Sequence, residues 1–287
     1  MKALRTVSWG LLLAGLAIGT FSDRPPRRPP LYLAGYRVLA ADFHLHPFPL
    51  SASTLAPWDL MWDSASQGLD AVAITGHNEV FSGLLARWVA RHLGGPTVLA
   101  GEEIHGPHFH LIAAGIHSTI SWRLSAADAI AEIHRQGGVA IAAHPTATAW
   151  PAYDARATQL LDAAEVWQPI AFSPPEAAAE LRTFYARRPL AAIASSDWHG
   201  AGPPGICRTL VFVRQNTEAG ILQAIRDRRT VVYGGTEFFG DAALVALVRS
   251  DARLTQPAQP SPWAPASRIP AVLGLLGLIL ASRRTAT

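Results

Sequence analysis

Eight short apolar runs alternate with helical stretches through the middle of this 287-residue chain, and no other feature limits its fold as strongly. The runs are mostly continuously apolar, which is typical of parallel strands covered on both faces. Strands separated by helices of this length form a (β/α) barrel or an open doubly wound sheet. The predicted strands are Arg37–Phe43, Ala71–Ile74, Thr97–Ala100, Phe109–Ala114, Val139–Ala142, Ala164–Trp167, Ala191–Ala194 and Thr209–Val213.

Polar residues and glycines mark where the helices between these strands begin and end. Asn78, Ser125 and Thr217 are predicted N-caps, because their side chains can accept a backbone N–H of the first turn. Gly68 and Gly94 follow predicted helices, as glycine often does at a helix end. The pattern therefore predicts β–α units with defined boundaries.

Composition indicates a folded protein and excludes several kinds of site. Hydrophobic residues make up 49% and charged residues 16% of the chain, so a buried core forms easily. Lys2 is the only lysine, which excludes a lysine Schiff base and a P-loop. Cys207 is the only cysteine, which excludes an intrachain disulfide and a cysteine zinc site. The net charge of +3 comes from scattered arginines, which predict a small anionic substrate and no nucleic-acid patch.

The chain is predicted to have one large domain between two apolar ends. The Ile269–Ser282 run would span roughly 21 Å as a helix, short of the ~30 Å hydrocarbon core, so it is a thin tail helix, a sorting signal or a helix packed on the domain. The predicted segments are 1–22, a signal peptide or membrane anchor; 23–35, a Pro/Arg linker; 36–240, the main domain; 241–267, a terminal segment with a Pro/Ala linker; and 268–287, an apolar tail.

The apolar ends predict a membrane partner, through the N-terminal segment first and the C-terminal segment second. An apolar run at the N-terminus is typical of export, which favours a periplasmic or membrane-associated location. Arg24, Arg27 and Arg28 directly follow that run, and the positive-inside rule would instead hold them on the cytoplasmic face. Both orientations stay open.

Histidines and carboxylates follow the apolar runs, at the points where strands end. His44 and His46 are two residues apart, so on one strand they point the same way. Barrel active sites gather at the carboxyl ends of strands, and imidazole with carboxylate suits divalent transition metals. His108 shares a strand face with His110 and is the alternative to it. The candidate metal ligands are His44, His46, His77, Glu103, His110, His144, Asp197 and His199.

These residues stand in motifs that resemble the PHP family, named for polymerase and histidinol phosphatase. The resemblance covers roughly residues 37–235 and rests on DFHLH, GLDAVAITGHN, GEEI, HFHLIAAG, AHP and SSDWH, in that order. It implies a distorted (β/α)7 barrel that holds two or three divalent ions, Zn, Mn or Fe, with Glu103 bridging two of them. It also implies phosphoester hydrolysis most often, and hydrolysis of other esters in one branch.

Two positions depart from the family pattern. Gly76 stands where the family's Thr-Asp-His motif has its aspartate. Ser51 stands five residues after the second histidine of the HxH motif, where Asp or His is common. Because serine is a poor metal ligand, the sequence favours a two-metal site over a three-metal one.

The predicted reaction uses a hydroxide held between two cations, since such ions can lower the pKa of a shared water towards ~7. The hydroxide would attack phosphorus or an ester carbonyl, with Glu103 and Asp197 as catalytic residues and Asp197 orienting the nucleophile. Asp42 is the candidate acceptor for a metal-bound histidine. Arg208 could grip an anionic group or lie at the rim in solvent. Trp198 is expected to line the pocket.

The leading hypothesis is therefore a metal-dependent phosphoesterase acting on a small anionic substrate. One alternative is a metal-dependent hydrolase of carboxyl or carbamate esters, which the Gly101 to Phe109 pattern also resembles. The other is a catalytically decayed domain that still holds metal, since Gly76 and Ser51 both depart from the family pattern.

Overall fold

The computed structural model describes residues 2–22, 29–51, 53–168, 175–234, 237–249, 251 and 264–283, and the chain divides into two compact units. The larger unit covers Arg28–Pro257, and the smaller one joins the two ends of the chain.

A mixed sheet forms the larger unit and curls into a nearly closed barrel. Its described strands follow the order β11-β10-β9-β2-β3-β4-β5-β6-β7-β8, with β1 paired to β2. A bridge between Leu45 and Trp198 brings the segment after β8 back to the end of β2. The strands are β1 Leu31–Leu33, β2 Tyr36–Leu45, β3 Ala71–His77, β4 Thr97–His105, β5 His110–Ala114, β6 Val139–Ala142, β7 Ala163–Trp167, β8 Ala191–Ala194, β9 Arg208–Val213, β10 Thr230–Tyr233 and β11 Phe238–Gly240.

All eight predicted strands form, and the predicted PHP-type barrel is confirmed. The sheet is less regular than uniform β–α alternation. Strands β2, β3 and β4 are parallel, as are β6, β7 and β8, whereas β5 runs antiparallel to both of its neighbours. The reason lies in the short connection between β4 and β5, which has room for a turn but not for a crossover helix. This hairpin places His105 directly opposite His110.

Helices cover the outside of the sheet, and their polar ends decide where they start. Ser125 and Thr217 cap their helices as predicted, through hydrogen bonds from the N–H groups of Asp128 and Gly220. Asn78 does not cap a helix, because its Oδ1 instead accepts the N–H of His105. The helices of this unit are α2 Pro57–Ser66, α3 Phe81–Leu93, α4 Ala126–Arg135, α5 Ala155–Leu160, α6 Pro175–Tyr185, α7 Glu218–Arg226 and α8 Ala242–Arg249, with a 3-10 turn at Trp150–Ala152.

Strand alternation explains why the barrel has an apolar base and a polar rim. Leu99 and Glu103 share one face of β4, four residues apart, so the apolar interior near Leu99 leads up to a carboxylate. Ile221 and Ile225 of α7 belong to the same apolar cluster as Leu99. The base of the barrel is thus filled by side chains, which leaves its rim for chemistry.

The folded unit extends past both predicted limits of residues 36 and 240. Leu31–Leu33, placed in the predicted linker, pairs antiparallel with β2. On the other side, Val248 of α8 is buried in the cluster that contains Leu60 and Phe212. Apolar side chains with a partner surface therefore fold in both segments. The predicted linker residues 23–28 and 252–263 lie outside the described residues.

The smaller unit pairs α1 Lys2–Ser22 with α9 Ala264–Arg283. Glycine lets the two backbones meet closely, since a Cβ at Gly274 would lie 2.4 Å from the backbone N of Leu12. The C-terminal run forms the helix α9, which packs on α1 within this unit. No helix among the described residues has the length and hydropathy that a membrane crossing requires.

Candidate metal centre

All eight predicted ligands lie at the rim of the barrel, and Glu103 of β4 stands at their centre. Its side chain is buried, with 2% exposed, and its two oxygens face different partners. Oε2 lies 3.3 Å from Nε2 of His44, whereas Oε1 lies 3.2 Å from Nε2 of His144. Glu103 therefore occupies the position expected of a bridging carboxylate.

The first group of donors surrounds Oε2 of Glu103. His44, His46 and Asp197 contribute to it, with Nε2 of His46 at 2.9 Å and Nε2 of His44 at 3.3 Å from Oδ1 of Asp197. Two ligand atoms that each lie ~2.1 Å from one ion are separated by roughly 3.0 to 3.5 Å. The spacing of this group therefore fits a single divalent cation.

The second group lies on the other oxygen of Glu103. Nδ1 of His110 is 3.1 Å and Nε2 of His144 is 3.2 Å from Oε1. His108, the alternative to His110, is exposed and joins none of the donor groups in the described residues. The choice of His110 over His108 thus agrees with the geometry.

The third group consists of His46, His77 and His199, whose donor atoms lie within 4.8 Å of one another. The His46 ring stacks 4.0 Å from the ring of His199. Ser51 is buried beside this group, but its Oγ accepts the backbone N–H of His77 at 3.3 Å. The side chain at position 51 is thus engaged in holding the backbone of β3.

Two of the eight residues have strained backbones. His144 has φ = 27° and Asp197 has φ = 49°, in the left-handed region that side chains other than glycine rarely adopt. Such conformations cost about 1–3 kcal/mol and tend to occur at functional sites. Both residues follow the end of a buried strand, where the turn aims the side chain across the rim.

Buried atoms without hydrogen-bond partners concentrate in this cluster. A buried polar atom left unsatisfied costs about 1–3 kcal/mol, so such atoms are uncommon in folded proteins. The cluster contributes Nε2 of His44, both ring nitrogens of His46, Nδ1 of His110 and Oδ1 of Asp197. A bound cation would satisfy Nε2 of His44, one ring nitrogen of His46, Nδ1 of His110 and Oδ1 of Asp197. The donor set therefore fits divalent metal ions.

Charges inside the cluster shift the pKa values in opposite directions. Burial alone would raise the pKa of Glu103, but the charge of His44 and the adjacent rings of His105, His110 and His144 hold it well below its usual range. Burial lowers the pKa of His44, yet the charges of Asp197 and Glu103 outweigh this and raise it well above its usual value. The two groups form an ion pair in the protein without metal, and a cation would take the place of the proton.

Two histidines are held neutral. Burial lowers the pKa of His46 to about 3, although the nearby carboxylate of Asp197 opposes this shift. Burial and the neighbouring charge of His105 lower the pKa of His77 to about 4. Neutral imidazole is the form that binds metal, so both rings are ready to do so at neutral pH.

Glu165 has a positioning role that the sequence did not reveal. Its Oε1 accepts the Nδ1 proton of His44 at 3.1 Å, which leaves Nε2 facing the cluster, and its Oε2 accepts the backbone N–H of His144 at 2.7 Å. The sequence signal that could have revealed this role is a carboxylate within the buried strand Ala163–Trp167. Gln168 was also missed, and its side-chain amide donates to Oδ2 of Asp197 at 2.8 Å.

The prediction for Asp42 was wrong, because Glu165 is the acceptor for His44. Asp42 instead accepts hydrogen bonds from the backbone N–H groups of His44, Ser196 and Gly205 and from the hydroxyl of Ser196. Burial raises its pKa to about 6 against these hydrogen bonds. Asp42 therefore fastens the segment after β8 to β2.

The space left by the missing aspartate at Gly76 is filled by another carboxylate. A Cβ on Gly76 would lie 1.9 Å from Oε1 of Glu79, so the two side chains could not coexist in this arrangement. Oε2 of Glu79 accepts the N–H of Ser82 at 2.9 Å and thereby supports the start of α3. The glycine accommodates a carboxylate that comes from three residues later.

Arg208 and Trp198 have structural contacts. The guanidinium of Arg208 donates to the carbonyl of Gly205 at 2.9 and 3.1 Å and to that of Gln67 at 3.4 Å. With these hydrogen bonds, the guanidinium of Arg208 is engaged by carbonyl oxygens and neither grips an anionic group nor lies free in solvent, the two alternatives predicted for it. Trp198 is 5% exposed and packs in the apolar cluster with Leu60, so the expectation that it lines the pocket was wrong.

Comparison with other proteins gives one sequence relative and a shared fold. No family model matches the chain. An uncharacterized protein of Methanocaldococcus jannaschii is 30% identical over 142 residues, which are 45% of this chain and 81% of that protein. This coverage of the archaeal protein is enough to place the two chains together.

The solved structures that are similar to the chain include the following two. One is a two-domain protein from Bacteroides vulgatus containing a predicted PHP-like metal-dependent phosphoesterase, with a TM-score of 0.63, 21% identity and coverage of 79% of this chain and 74% of that one. The other is an amidohydrolase from Chromobacterium violaceum, with a TM-score of 0.49, 15% identity and coverage of 67% and 97%; at that score the likeness carries no argument. The chain thus belongs to one family with the archaeal protein, and it has the PHP-type fold that its motifs predicted.

Proposed function

We propose that this protein is a metal-dependent hydrolase and that it cleaves a small phosphoester. The observation that carries the proposal is the position of Glu103, whose two oxygens face separate sets of histidines at 3.1–3.5 Å. The fold shared with a protein that contains a predicted PHP-like metal-dependent phosphoesterase supports the choice of phosphorus over carbon as the atom attacked.

The residues proposed to hold the ions fall into the groups described above. His44, His46, Glu103 and Asp197 would hold one cation, and Glu103, His110 and His144 a second. His77 and His199 extend the site towards solvent, where a third ion could bind. When bound, such ions of Zn, Mn or Fe supply a shared hydroxide at neutral pH and stabilise negative charge on the substrate.

The chain itself contributes orientation and charge. Gln168 holds Oδ2 of Asp197, which leaves Oδ1 facing the histidines and fixes the carboxylate that we propose to orient the nucleophile. Glu165 fixes the ring of His44 in the same way. A role for Arg208 in gripping the anionic substrate remains a prediction, and it requires the guanidinium to leave the carbonyls of Gly205 and Gln67.

The test compares wild type with the double variant His44→Ala, His46→Ala. Each protein is loaded separately with Zn, Mn or Fe and given p-nitrophenyl phosphate, bis-p-nitrophenyl phosphate and p-nitrophenyl acetate. We expect metal-dependent release of p-nitrophenol from a phosphate substrate by wild type and none by the variant. His108→Ala is the matched control, because His108 lies on the same rim but outside the donor groups.

The outcomes separate the three functions predicted from sequence. Cleavage of the acetate without either phosphate would replace the proposal with ester hydrolysis. Bound metal without turnover of any substrate would indicate a decayed metal-binding domain. Equal turnover by the double variant and wild type would refute the assignment of the site.

A further inference from the structure

His105 lies at the end of β4, beside the donor groups but outside the set of ligands predicted from sequence. We propose that His105 is a cation ligand and that, with His77 and Glu103, it forms a further binding position at the rim. The inference rests on the proposed metal-dependent function and assigns one of its ligands.

The ring of His105 lies among side chains of the kinds that bind metal ions. Its centre lies 4.1 Å from that of the His77 ring, and its Nε2 is hydrogen-bonded to Oε2 of Glu103 at 2.6 Å. A shared cation would replace this hydrogen bond and separate the two atoms to roughly 3.0–3.5 Å, the distance between two ligands of one ion. The donor atoms of these three residues all lie within 4.8 Å of one another. The ring also stacks on His110 at 3.9 Å, so His105 stands between two histidines that belong to other groups.

The backbone around His105 is tied down in a way that aims this ring. Its N–H donates to Oδ1 of Asn78 at 2.9 Å, and it pairs with His110 across the β4–β5 hairpin. The turn after it is closed by a hydrogen bond from the N–H of Gly106 to the carbonyl of Phe109. A ring held by two strands loses little freedom when it binds an ion, which favours binding.

Ser51 explains why a ligand at position 105 would be useful. The third group has His77 and His199, but His46 is shared with the first group and the hydroxyl of Ser51 is engaged by the backbone of His77. His105 would add a further nitrogen donor, Nε2. This atom lies on the side of His77 that faces Glu103, next to Oε2 of Glu103. Two imidazoles and a carboxylate are a suitable donor set for Zn, Mn or Fe.

The competing explanation is that His105 only donates a hydrogen bond to Glu103. Both explanations give a short distance between these side chains, but they differ in the number of ions bound and in what touches position 105. Metal content is therefore measured on the purified full chain by mass spectrometry after equilibrium dialysis. We expect His105→Ala to hold one ion fewer than wild type, whereas loss of a hydrogen bond to Glu103 alone would weaken binding without changing the number of ions. His108→Ala, three residues further on, should match wild type.

A cysteine at this position gives direct spectroscopic proof of ligation. In His105→Cys loaded with Co²⁺, a thiolate bound to the ion produces an intense near-ultraviolet charge-transfer band. Wild type should lack the band, because Cys207 is buried away from solvent and donates to the carbonyl of Ser195. His108→Cys should lack it too. Absence of the band in His105→Cys, together with an unchanged metal content in His105→Ala, would overturn the inference.

Wild-type protein supplies a measurement that needs no variant to fold. The side chain of His105 is 32% exposed, so diethyl pyrocarbonate can reach it. Metal should protect His105 from labelling and leave His108 unchanged. If His105 is only hydrogen-bonded to Glu103, metal would capture Glu103 and release the ring, and labelling of His105 would rise.

These measurements use metal without substrate, so they separate this inference from the proposed function. Loss of an ion in His105→Ala with no turnover by wild type would reject hydrolysis and keep the ligand. Normal metal content in His105→Ala with phosphoester turnover by wild type would keep hydrolysis and reject the ligand.

Discussion

Glu102 and Glu103 are neighbours in β4, yet they lie on opposite faces of the barrel wall and have opposite electrostatic surroundings. Glu103 faces the interior, where histidines stabilise its charge and keep its pKa well below the usual range. Glu102 faces outward, where its Oε1 accepts the N–H of Ile120 at 2.6 Å and its Oε2 has no hydrogen-bond partner. Burial and the nearby charge of Glu79 raise the pKa of Glu102 to about 7, with burial the larger cause.

The comparison shows that burial alone does not create a metal ligand. Both carboxylates are almost fully buried, and burial penalises the charge of each. Only Glu103 has cationic or metal-binding neighbours that outweigh this penalty. The alternation of the strand thus separates a functional carboxylate from a neighbour that is easier to keep protonated.

The largest effect should come from Glu103→Gln, which removes the charge that joins the two donor groups. An amide cannot bridge two cations as a carboxylate does, so we expect metal affinity and phosphoester turnover to fall by more than about 100-fold. Metal analysis and initial rates on p-nitrophenyl phosphate check this prediction.

Glu102→Gln is the matched control, because it makes the same change one residue away on the other face. It should keep its full metal content and at least about half of the wild-type rate. If the two variants lost metal equally, the contrast between the two faces of β4 would be wrong.

The next largest effect should follow removal of metal from wild type. Without a cation, the donor atoms that lack hydrogen-bond partners remain unsatisfied. The cluster is then stabilised mainly by the ion pair of His44 with Glu103. A ligand at about 100 times its Kd stabilises the folded state by ~2.7 kcal/mol. We therefore expect a chelator to lower Tm by several degrees and Zn or Mn to restore it.

Glu103→Gln should show no such response to chelator, since it has already lost its ions. A wild-type Tm that does not change on chelation and metal addition would show that the cluster holds no cation under these conditions.

The sequence predicted the site better than it predicted the supports of the site. Most of the eight candidate ligands could be recognised because they follow an apolar run, and strand ends gather at one rim. His110 instead begins its strand, which runs antiparallel to β4. Glu165 and Gln168 were missed because their partners, His44, His144 and Asp197, are distant in sequence. No local pattern records which side chains meet across a barrel.

The β4–β5 hairpin had the same limitation. The Thr97–Ala100 and Phe109–Ala114 runs were both predicted as strands, but apolar continuity does not reveal whether neighbours are parallel. Because the antiparallel pairing was missed, His105 was not seen to lie opposite His110. The pairing of α1 with α9 was likewise hidden, since two apolar ends give no sign that they bind each other.

A third prediction concerns the pH dependence of stability that Glu102 introduces. Its folded pKa of about 7 lies above the ordinary value of 4.5, so the stability that the protonated carboxyl contributes is complete below pH 4.5 and is lost as the pH rises through 7. The loss is at most about 3 kcal/mol by pH 9. Glu102→Gln cannot ionise, and it should become more stable than wild type as the pH is raised from 5 to 9.

Urea unfolding at pH 5, 7 and 9 measures this difference, with chelator present so that metal binding does not contribute. A stability difference between the two proteins that stays constant over this range would show that Glu102 ionises as readily as an exposed carboxyl.

The smallest effect concerns Gly76 and Glu79, and it tests the source of the charge beside Glu102. Gly76→Ala places a Cβ where Oε1 of Glu79 lies, so the carboxylate must move and Ser82 loses its hydrogen bond, at a cost of about 1–2 kcal/mol. In a Glu79→Ala background the space is open, and the same substitution should cost less than about 0.5 kcal/mol. The coupling measured by urea unfolding of the four proteins would then be close to 1 kcal/mol.

Glu79→Ala should also reduce the pH dependence of stability due to Glu102, because it removes one of the two causes that raise the pKa of Glu102. Additive effects of the two substitutions would mean that Gly76 does not make room for the carboxylate of Glu79. Burial alone would then explain the raised pKa of Glu102 on the outward face of β4.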